Sequence, residues 1–270
     1  MEGITGTTGP DDVDPRKEPY KRFQKLMTGD VNAAVKGALL AGADEILVND
    51  SHDGMRNILI EELNPKAQLI SGFSKPLCMM QGIDSSFDLA ILVGYHARAG
   101  TAAAVMNHTV FGKEIMDVWI NDMPVGETGI NSGLAGYFGV PIGAVTGDDK
   151  VTKEARTLLG NIETAMVKEG LDRYVARCLP PEKTRELIEN TTKRAVERKS
   201  EFKPLKYSFP VKFKVRFAST AEAAAVSVLP IVTREEPRTV SIASNDYLEA
   251  FRTFFGILML ASTASNEIFG

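Results

Sequence analysis

Residues 88–100, DLAILVGYHARAG, contain the stretch that decides the fold. From Leu89 to Tyr95 the side chains are almost all apolar, without the alternation of a half-buried strand. Such a run is typical of a strand buried on both faces, as in a parallel sheet. The run ends at His96, so a polar and titratable side chain stands directly after the buried strand.

Working outward from this strand, short apolar runs alternate with segments of helical spacing. The strand-like runs are EILV (45–48), QLISG (68–72) and PIGAVTG (141–147), and the helix-like segments are 31–43, 56–63 and 131–139. Asn121-Asp122, between IMDVWI and PVGE, predicts a hairpin turn. The alternation predicts an α/β fold with a mostly parallel sheet flanked by helices, a Rossmann-like arrangement.

The second half of the chain has a different texture. We predict a charged helix at 180–200, a strand at 212–218, a helix at 218–229, a strand at 238–244 and a last helix at about 245–265. Asp148 or Asp149 is the expected cap of the helix that follows residue 147. The change predicts a boundary near residue 150, with a larger α/β domain at 1–150 and a smaller α/β domain at 151–270 for packing and oligomerisation.

Composition excludes several classes of protein. A net charge of −4 and a pI of about 5.6 argue against nucleic acid as the main partner. Cys78 and Cys178 lie in unrelated contexts, which excludes a cysteine zinc cluster and favours a reducing compartment, so we expect a cytoplasmic protein. The start of the chain lacks the pattern of a signal peptide, and no apolar run approaches the ~20 residues that a membrane span needs.

All three histidines, His52, His96 and His108, follow or adjoin a predicted strand end. In open parallel sheets ligands bind outside the carboxyl ends of the strands, so these imidazoles can converge. The acids nearby are Glu2, Asp50, Asp53 and Glu127. Imidazole and carboxylate are ligands that zinc accepts, and a catalytic zinc keeps one position open for water.

Ordinary structural roles compete with this metal site. Each histidine is equally compatible with a hydrogen-bonding role in a loop. Glu127 is compatible with the role of an acid in the first turn of a helix, where the helix dipole favours it. Asp50 and Asp53 are compatible with a role in forming turns. Asp50 is also compatible with a role in orienting a histidine. Spacing alone therefore indicates a metal-dependent hydrolase and leaves these alternatives open.

Several longer motifs occur here in the order found in one family. They are MEGITG, EILVNDSHDGMRN, LISG, LVGYHARAG, MNHTVFG, INDMPVGETGIN and GDD, followed by KFKVRFASTAEA and the final amphipathic helix. In this respect the chain resembles the zinc-dependent D-aminopeptidases of the DppA type, which are self-compartmentalising metallopeptidases. The resemblance covers essentially the whole chain.

The resemblance implies a two-domain α/β subunit, a pair of zinc ions and a decameric ring that encloses the active sites. It implies removal of N-terminal D-amino acids from short peptides such as D-Ala-D-Ala. Two metals about 3.5–4 Å apart can activate water and polarise the scissile carbonyl. The residues that match the family's metal ligands are Glu2, His52, His96 and Glu127, all within the predicted domain 1–150. His108 matches the catalytic histidine, with its role as base, acid or nucleophile left open.

The chain departs from the family pattern at its first residues. The family has an aspartate two positions before the glutamate that matches Glu2, and here Met1 occupies the position between them. The aspartate and most of the first strand would therefore precede residue 1. Either the sequence begins at an internal methionine, which is the expectation we favour, or the chain folds without that strand and its metal site is short of one ligand. The second account leads to a rival function, a non-catalytic or metal-depleted oligomeric peptide-binding relative. A hydrolase of another small amide is a separate alternative within the same family.

Overall fold

A computed structural model describes residues 1–264 of the 270-residue chain. Its helices are α1 (Tyr20–Leu40), α2 (Glu127–Tyr137), α3 (Asp149–Leu159), α4 (Pro181–Glu197), α5 (Thr220–Val226) and α6 (Tyr247–Ser262). Its strands are β1 (Ile46–Asn49), β2 (Ala67–Ile70), β3 (Ala90–Tyr95), β4 (Ile115–Ile120), β5 (Met123–Pro124), β6 (Ile142–Asp148), β7 (Glu163–Asp172), β8 (Val175–Cys178), β9 (Val211–Phe217), β10 (Thr233–Glu236) and β11 (Thr239–Ser244).

The strands that the structure describes form three sheets. One has the order β3-β6-β7-β8, in which β3, β6 and β7 are parallel and β8 is antiparallel. The second, β10-β11-β9-β4-β5, is antiparallel, and the third is the parallel pair of β1 and β2. Every residue of β6 is buried, as expected for a central strand of a parallel sheet. The α/β prediction is confirmed.

Helices cover these sheets with large apolar side chains and close contacts. On α6, Phe251 and Phe254 are almost fully buried, and the ring of Phe254 stacks on Phe213 of β9 at a centroid distance of 4.7 Å. On α1, Gly37 allows α4 to approach closely, because a Cβ atom there would lie 2.2 Å from the carbonyl oxygen of Glu189. These contacts hold α6 against β9 and α1 against α4, in separate apolar clusters.

The predicted hairpin turn at Asn121-Asp122 is confirmed. It joins β4 and β5, and both turn residues have positive φ values of 49° and 64°. Two consecutive left-handed residues are the mark of the tight hairpin turn whose twist matches that of the strands.

The helix predicted at residues 56–63 is wrong, since this segment forms turns. A helix needs each N–H to donate to the carbonyl four residues earlier. Here the N–H groups of Asn57 and Ile58 donate instead to the carboxylate of Asp50, and the N–H of Leu59 donates to Thr28 Oγ1. These N–H groups therefore bond to side chains of other segments, so the helical hydrogen bonds predicted from the apolar spacing do not form.

A cavity of about 580 Å³ lies between β1, β3 and α1. These two strands do not pair with each other, and partly exposed apolar side chains such as Ile46, Val48, Ile91 and Val93 line the space. Residues 1–8 form turns and no strand. The cavity therefore separates the β1–β2 pair from the four-stranded sheet.

The predicted division near residue 150 stays a prediction; strands from both sides of it, β4 and β9, pair within one sheet. Among residues 1–264, no helix combines the length and the apolar character needed to cross a bilayer.

Candidate metal centre

The five side chains singled out in the sequence meet at one end of the strands. His52 follows β1, His96 follows β3, and His108 lies in the loop between β3 and β4. Glu127 is the first residue of α2, and Glu2 lies in a turn at the start of the chain. The parallel strands end at the same edge, which brings loops distant in sequence together.

Two carboxylate–imidazole pairs form the cluster. Glu2 Oε1 lies 3.1 Å from His52 Nδ1, and Glu127 Oε1 lies 3.4 Å from His96 Nε2. His108 stands between the pairs, with its Nε2 atom 4.0 Å from Glu2 Oε1 and 3.8 Å from Glu127 Oε1. The His96 and His108 rings stack at a centroid distance of 4.0 Å, so both imidazoles present the same edge to the carboxylates.

The second ring nitrogen of each histidine faces a backbone carbonyl. His96 Nδ1 lies 3.1 Å from the Ala97 oxygen, and His108 Nδ1 lies 2.8 Å from the Met106 oxygen. His52 uses Nε2, which lies 3.2 Å from the Val13 oxygen. A carbonyl oxygen only accepts, so these nitrogens carry the proton, and in a neutral ring the nitrogen facing the carboxylates has a free lone pair. Metal-ligating histidines are commonly fixed in this way.

Burial and neighbouring charge act in opposite directions on the pKa values of the cluster. Burial disfavours the charged form of His96, but the carboxylate of Glu127 outweighs it and raises the pKa of His96 to about 9. Burial disfavours ionised Glu127, yet His96 and His108 lower its pKa to about 2. Burial and the neighbouring charge of His96 lower the pKa of His108. The cluster therefore holds ionised carboxylates beside one imidazole that favours the neutral state.

The pKa of Glu2 is also well below its ordinary value. Burial opposes ionisation, but the charges of His52 and of the N-terminal ammonium group outweigh it. Both carboxylates of the cluster are thus ionised at neutral pH, the state that a metal ligand needs.

The geometry of the cluster fits a metal ion. His96, His108 and Glu127 each offer one ligand atom, and these three atoms all lie within 4.8 Å of one another. Glu2 and His52 supply a second carboxylate–imidazole corner on the other side of His108. Imidazole and carboxylate with fixed tautomers are a donor set suited to zinc.

Asp50 and Asp53 lie outside the cluster of ligand atoms. The Asp50 carboxylate accepts hydrogen bonds from Asn57 and Ile58 and, at 3.5 Å, from the backbone N–H of His52, so it shapes the loop that carries His52. Of the two roles considered for Asp50, the turn role is the one with direct contacts. The exposed Asp53 has a positive φ of 42°, a conformation typical of a turn.

Sequence reasoning missed Lys168, which is fully buried beside the loop that carries Glu2. It lies on β7, a strand that was not predicted, and its partners are backbone oxygens more than 160 residues away. One feature of the sequence could have pointed to Lys168: a lysine among apolar residues of a strand is buried, and a buried ammonium group needs polar partners.

The fold and the cluster together define an α/β protein with a buried histidine–glutamate site of the metal-hydrolase type. The model of a family described as D-aminopeptidase matches residues 1–255, and the chain belongs to that family. The resemblance noted from the sequence motifs is thereby confirmed.

A sequence comparison and a structure comparison agree with the family match. A D-aminopeptidase of Bacillus subtilis (strain 168) is 38% identical over 268 residues, which cover 98% of this chain and 96% of that protein. A solved structure, described as "Zn-dependent D-aminopeptidase DppA from Bacillus subtilis, a self-compartmentalizing protease", superposes with a TM-score of 0.95 at 38% identity. The superposition covers 98% of this chain and 97% of the other.

Proposed function

We propose that the chain is a zinc-dependent aminopeptidase that removes D-amino acids from the N-termini of short peptides of the D-Ala-D-Ala kind. The observation that carries the proposal is the convergence of Glu2, His52, His96, His108 and Glu127 in one buried cluster. Support comes from the family match and from the relative described as a Zn-dependent D-aminopeptidase.

Glu2, His52, His96 and Glu127 would hold the zinc, with two ions in each subunit. When bound, zinc lowers the pKa of water and polarises a carbonyl oxygen, which are the two needs of amide hydrolysis. The protein's own contribution is to keep the carboxylates ionised and, in a neutral imidazole ring, to turn the unprotonated nitrogen towards the site. Backbone carbonyls of Ala97 and Val13 orient the rings of His96 and His52 for this purpose.

His108 is the proposed catalytic histidine. Its Nδ1 proton is held by the Met106 carbonyl, and its Nε2 atom faces both carboxylates, so Nε2 is the atom that can take up or deliver a proton. The lowered pKa keeps the ring neutral near pH 7 and ready to accept a proton. Its part as base, as acid to the leaving amine or as nucleophile stays open.

We further propose assembly into a decameric ring in the cytoplasm, with residues 1–150 as the catalytic domain and residues 151–270 as the packing and oligomerisation domain. The relative described as a self-compartmentalizing protease supports an assembly that encloses its sites. The exposed apolar side chains Leu171, Tyr174 and Val175 on the β7–β8 hairpin offer a contact surface.

The test combines metal analysis with a peptidase assay. We expect the purified chain to contain zinc and to release D-alanine from D-Ala-D-Ala, and we expect His108→Ala to lose activity by at least about 100-fold, the scale of a general acid–base group. Asp53→Ala is the matched control, because Asp53 is an exposed loop residue of the same region. A metal-replete chain that hydrolyses no D- or L-peptide would defeat the peptidase proposal.

The rival hypothesis, a non-catalytic peptide-binding relative, predicts substoichiometric zinc and no turnover even with added zinc. The same assays on a version extended upstream of Met1, with an aspartate two positions before Glu2, separate the accounts. Activity confined to the extended version would show that the missing ligand limits this chain. Equal activity of both versions would show that Glu2, His52, His96 and Glu127 suffice.

A further inference from the structure

Lys168 occupies an unusual position beneath the proposed metal centre. It lies on β7, its side chain is completely buried, and burial lowers its pKa to about 8. A buried ammonium group is costly unless its donors are used. The groups that accept hydrogen bonds from Lys168 therefore indicate which part of the structure its charge stabilises.

The partners all belong to the loop of residues 2–7. Lys168 Nζ lies 2.6 Å from the carbonyl oxygen of Glu2, 3.0 Å from that of Ile4 and 2.7 Å from that of Thr7. It also lies 2.7 Å from Thr7 Oγ1, which itself lies 2.8 Å from the Glu2 oxygen. The Lys168 ammonium group thus binds three backbone carbonyl oxygens of a loop that contains neither helix nor strand.

The same loop carries the Glu2 carboxylate into the cluster. Glu2 Oε1 lies 3.1 Å from His52 and 4.0 Å from His108, and the next residue, Gly3, donates its N–H to the carbonyl of Gly94 at the end of β3. A ligand on a loop keeps a fixed geometry only if its backbone is fixed. The Lys168 ammonium on β7 and the Gly3–Gly94 hydrogen bond on β3 together tie this backbone to the four-stranded sheet, and Lys168 is the side chain that does so.

We propose that Lys168 is a positioning residue for the metal centre: by binding the carbonyls of the loop of residues 2–7, it fixes the Glu2 carboxylate opposite His52 and His108. The inference rests on the proposed zinc site for its consequence in catalysis. Its structural content, the placement of Glu2 against His52, is independent of any metal.

The test compares Lys168→Met with Val167→Ala. The methionine keeps the length of the side chain and removes the cation, whereas Val167→Ala removes buried packing from the neighbouring residue of the same strand and leaves the loop contacts intact. We expect Lys168→Met to raise the zinc dissociation constant by about 10–100-fold, the usual effect of removing a group that orients a ligand. Val167→Ala should leave the dissociation constant within about twofold of the parent, because consecutive side chains of a strand point to opposite faces and Val167 packs in the apolar cluster of Ala33, Ala34 and Ile188.

A second readout needs no metal. In the metal-free protein, we expect Lys168→Met to move the NMR resonances of the His52 ring, which pairs with Glu2, and to leave those of His96, which pairs with Glu127. Thr7→Val, which removes the hydroxyl beside Lys168 Nζ, should move the same His52 resonances and serves if Lys168→Met fails to fold.

The outcomes are distinguishable. If Lys168→Met and Val167→Ala agree in zinc affinity and in the His52 resonances, the positioning role is overturned. If the parent chain binds no zinc, the proposed function fails, while the His52 resonances of the metal-free variants still decide the role of Lys168.

Discussion

The Glu127 carboxylate governs the charge of the His96 imidazole. Both side chains are buried, and the 3.4 Å contact makes the pKa of one depend on the charge of the other. At low effective dielectric such a contact outweighs the desolvation of the ring. The charge state of the site is therefore a property of the pair.

We predict that Glu127→Gln lowers the pKa of His96 in the metal-free protein from about 9. The reason is that burial favours the neutral ring, and its strongest opponent, the Glu127 charge, is then gone while only Glu2 and the Ala97 carbonyl still favour the charged ring. An NMR titration of the His96 ring measures the change. Asp53→Asn is the control, since Asp53 is an exposed acid of the His52 loop and lies outside the cluster of ligand atoms. A pKa of His96 that stays near 9 in Glu127→Gln would contradict the assignment.

Asp30 of α1 gives a prediction for the dependence of stability on pH. Burial raises its pKa from 3.8 to about 6, although Thr5 donates two hydrogen bonds to it. The folded state then holds more protons than the unfolded state between those values. The free energy of unfolding should therefore fall as pH rises from about 4 to about 6, by roughly 3 kcal/mol from this group.

Asp30→Asn should remove this part of the pH dependence, because an amide does not ionise and can still bond Thr5. Urea unfolding at pH 4 and pH 7 measures the effect in both proteins. The variant should match the parent at pH 4 and exceed it at pH 7. If the variant and the parent have the same free energy of unfolding at pH 4 and also at pH 7, Asp30 is not the source of the pH dependence.

At the scale of elements, α3 is fixed at its start by one carboxylate. Asp148 Oδ1 accepts the N–H groups of Lys150 and Val151, which confirms the predicted cap, and its Oδ2 accepts the buried N–H of Val105. The side chain thus joins the helix start to the loop that precedes His108.

We predict that Asp148→Ala lowers the free energy of unfolding by about 2–4 kcal/mol, because it removes a helix cap and leaves the buried Val105 N–H without a partner. Asp148→Asn should lose less, since its amide oxygen still accepts. Denaturant unfolding of both variants checks the order. A loss below about 1 kcal/mol for Asp148→Ala would contradict the bridging role.

We expect the β1–β2 pair to be the least stable part of the sheet structure. A pair of strands has little stability of its own, and the cavity separates this pair from β3. We expect amides of β1 to exchange with deuterium faster than those of β6, which has strands on both sides. Hydrogen exchange followed by mass spectrometry measures this difference, and equal protection of both strands would refute it.

At the scale of the whole molecule, exposed apolar side chains bear on assembly. Val175 is 52% exposed on β8 at the edge of its sheet, next to the exposed Tyr174. Apolar side chains on an exposed edge favour contact with another chain. The hairpin formed by β7 and β8 is thus the surface of choice for a test of the proposed ring.

We predict that Val175→Glu lowers the oligomeric state measured by sedimentation velocity, because a charge would be buried at the subunit contact. Val228→Glu is the matched control, since Val228 is 74% exposed in the segment after α5 and belongs to neither strand of this hairpin. The contact is elsewhere if Val175→Glu sediments like the parent.

The sequence by itself determined the features that depend on neighbours a few positions away. The apolar run at 88–95 determined a strand of the parallel sheet, although Ala90, Ile91 and Val93 are only partly buried because β3 is an edge strand. Asn121-Asp122 determined a hairpin turn, and the cap expected at Asp148 or Asp149 lies at Asp148. The sequence also placed three histidines after predicted strand ends, and from this position we expected the three imidazoles to lie close together. Local patterns carry this information because strand period, turn conformation and capping are short-range effects.

Only the tertiary structure decided which groups meet. Apolar spacing at 56–63 predicted a helix, but Asp50 and Thr28 captured its N–H groups. The pairing of Glu2 with His52, and the contact between Lys168 and a loop more than 160 residues away, depend on how the loop of residues 2–7 packs against β1 and the four-stranded sheet. Such contacts form because buried polar groups must find partners, and the partner available is set by the packed fold.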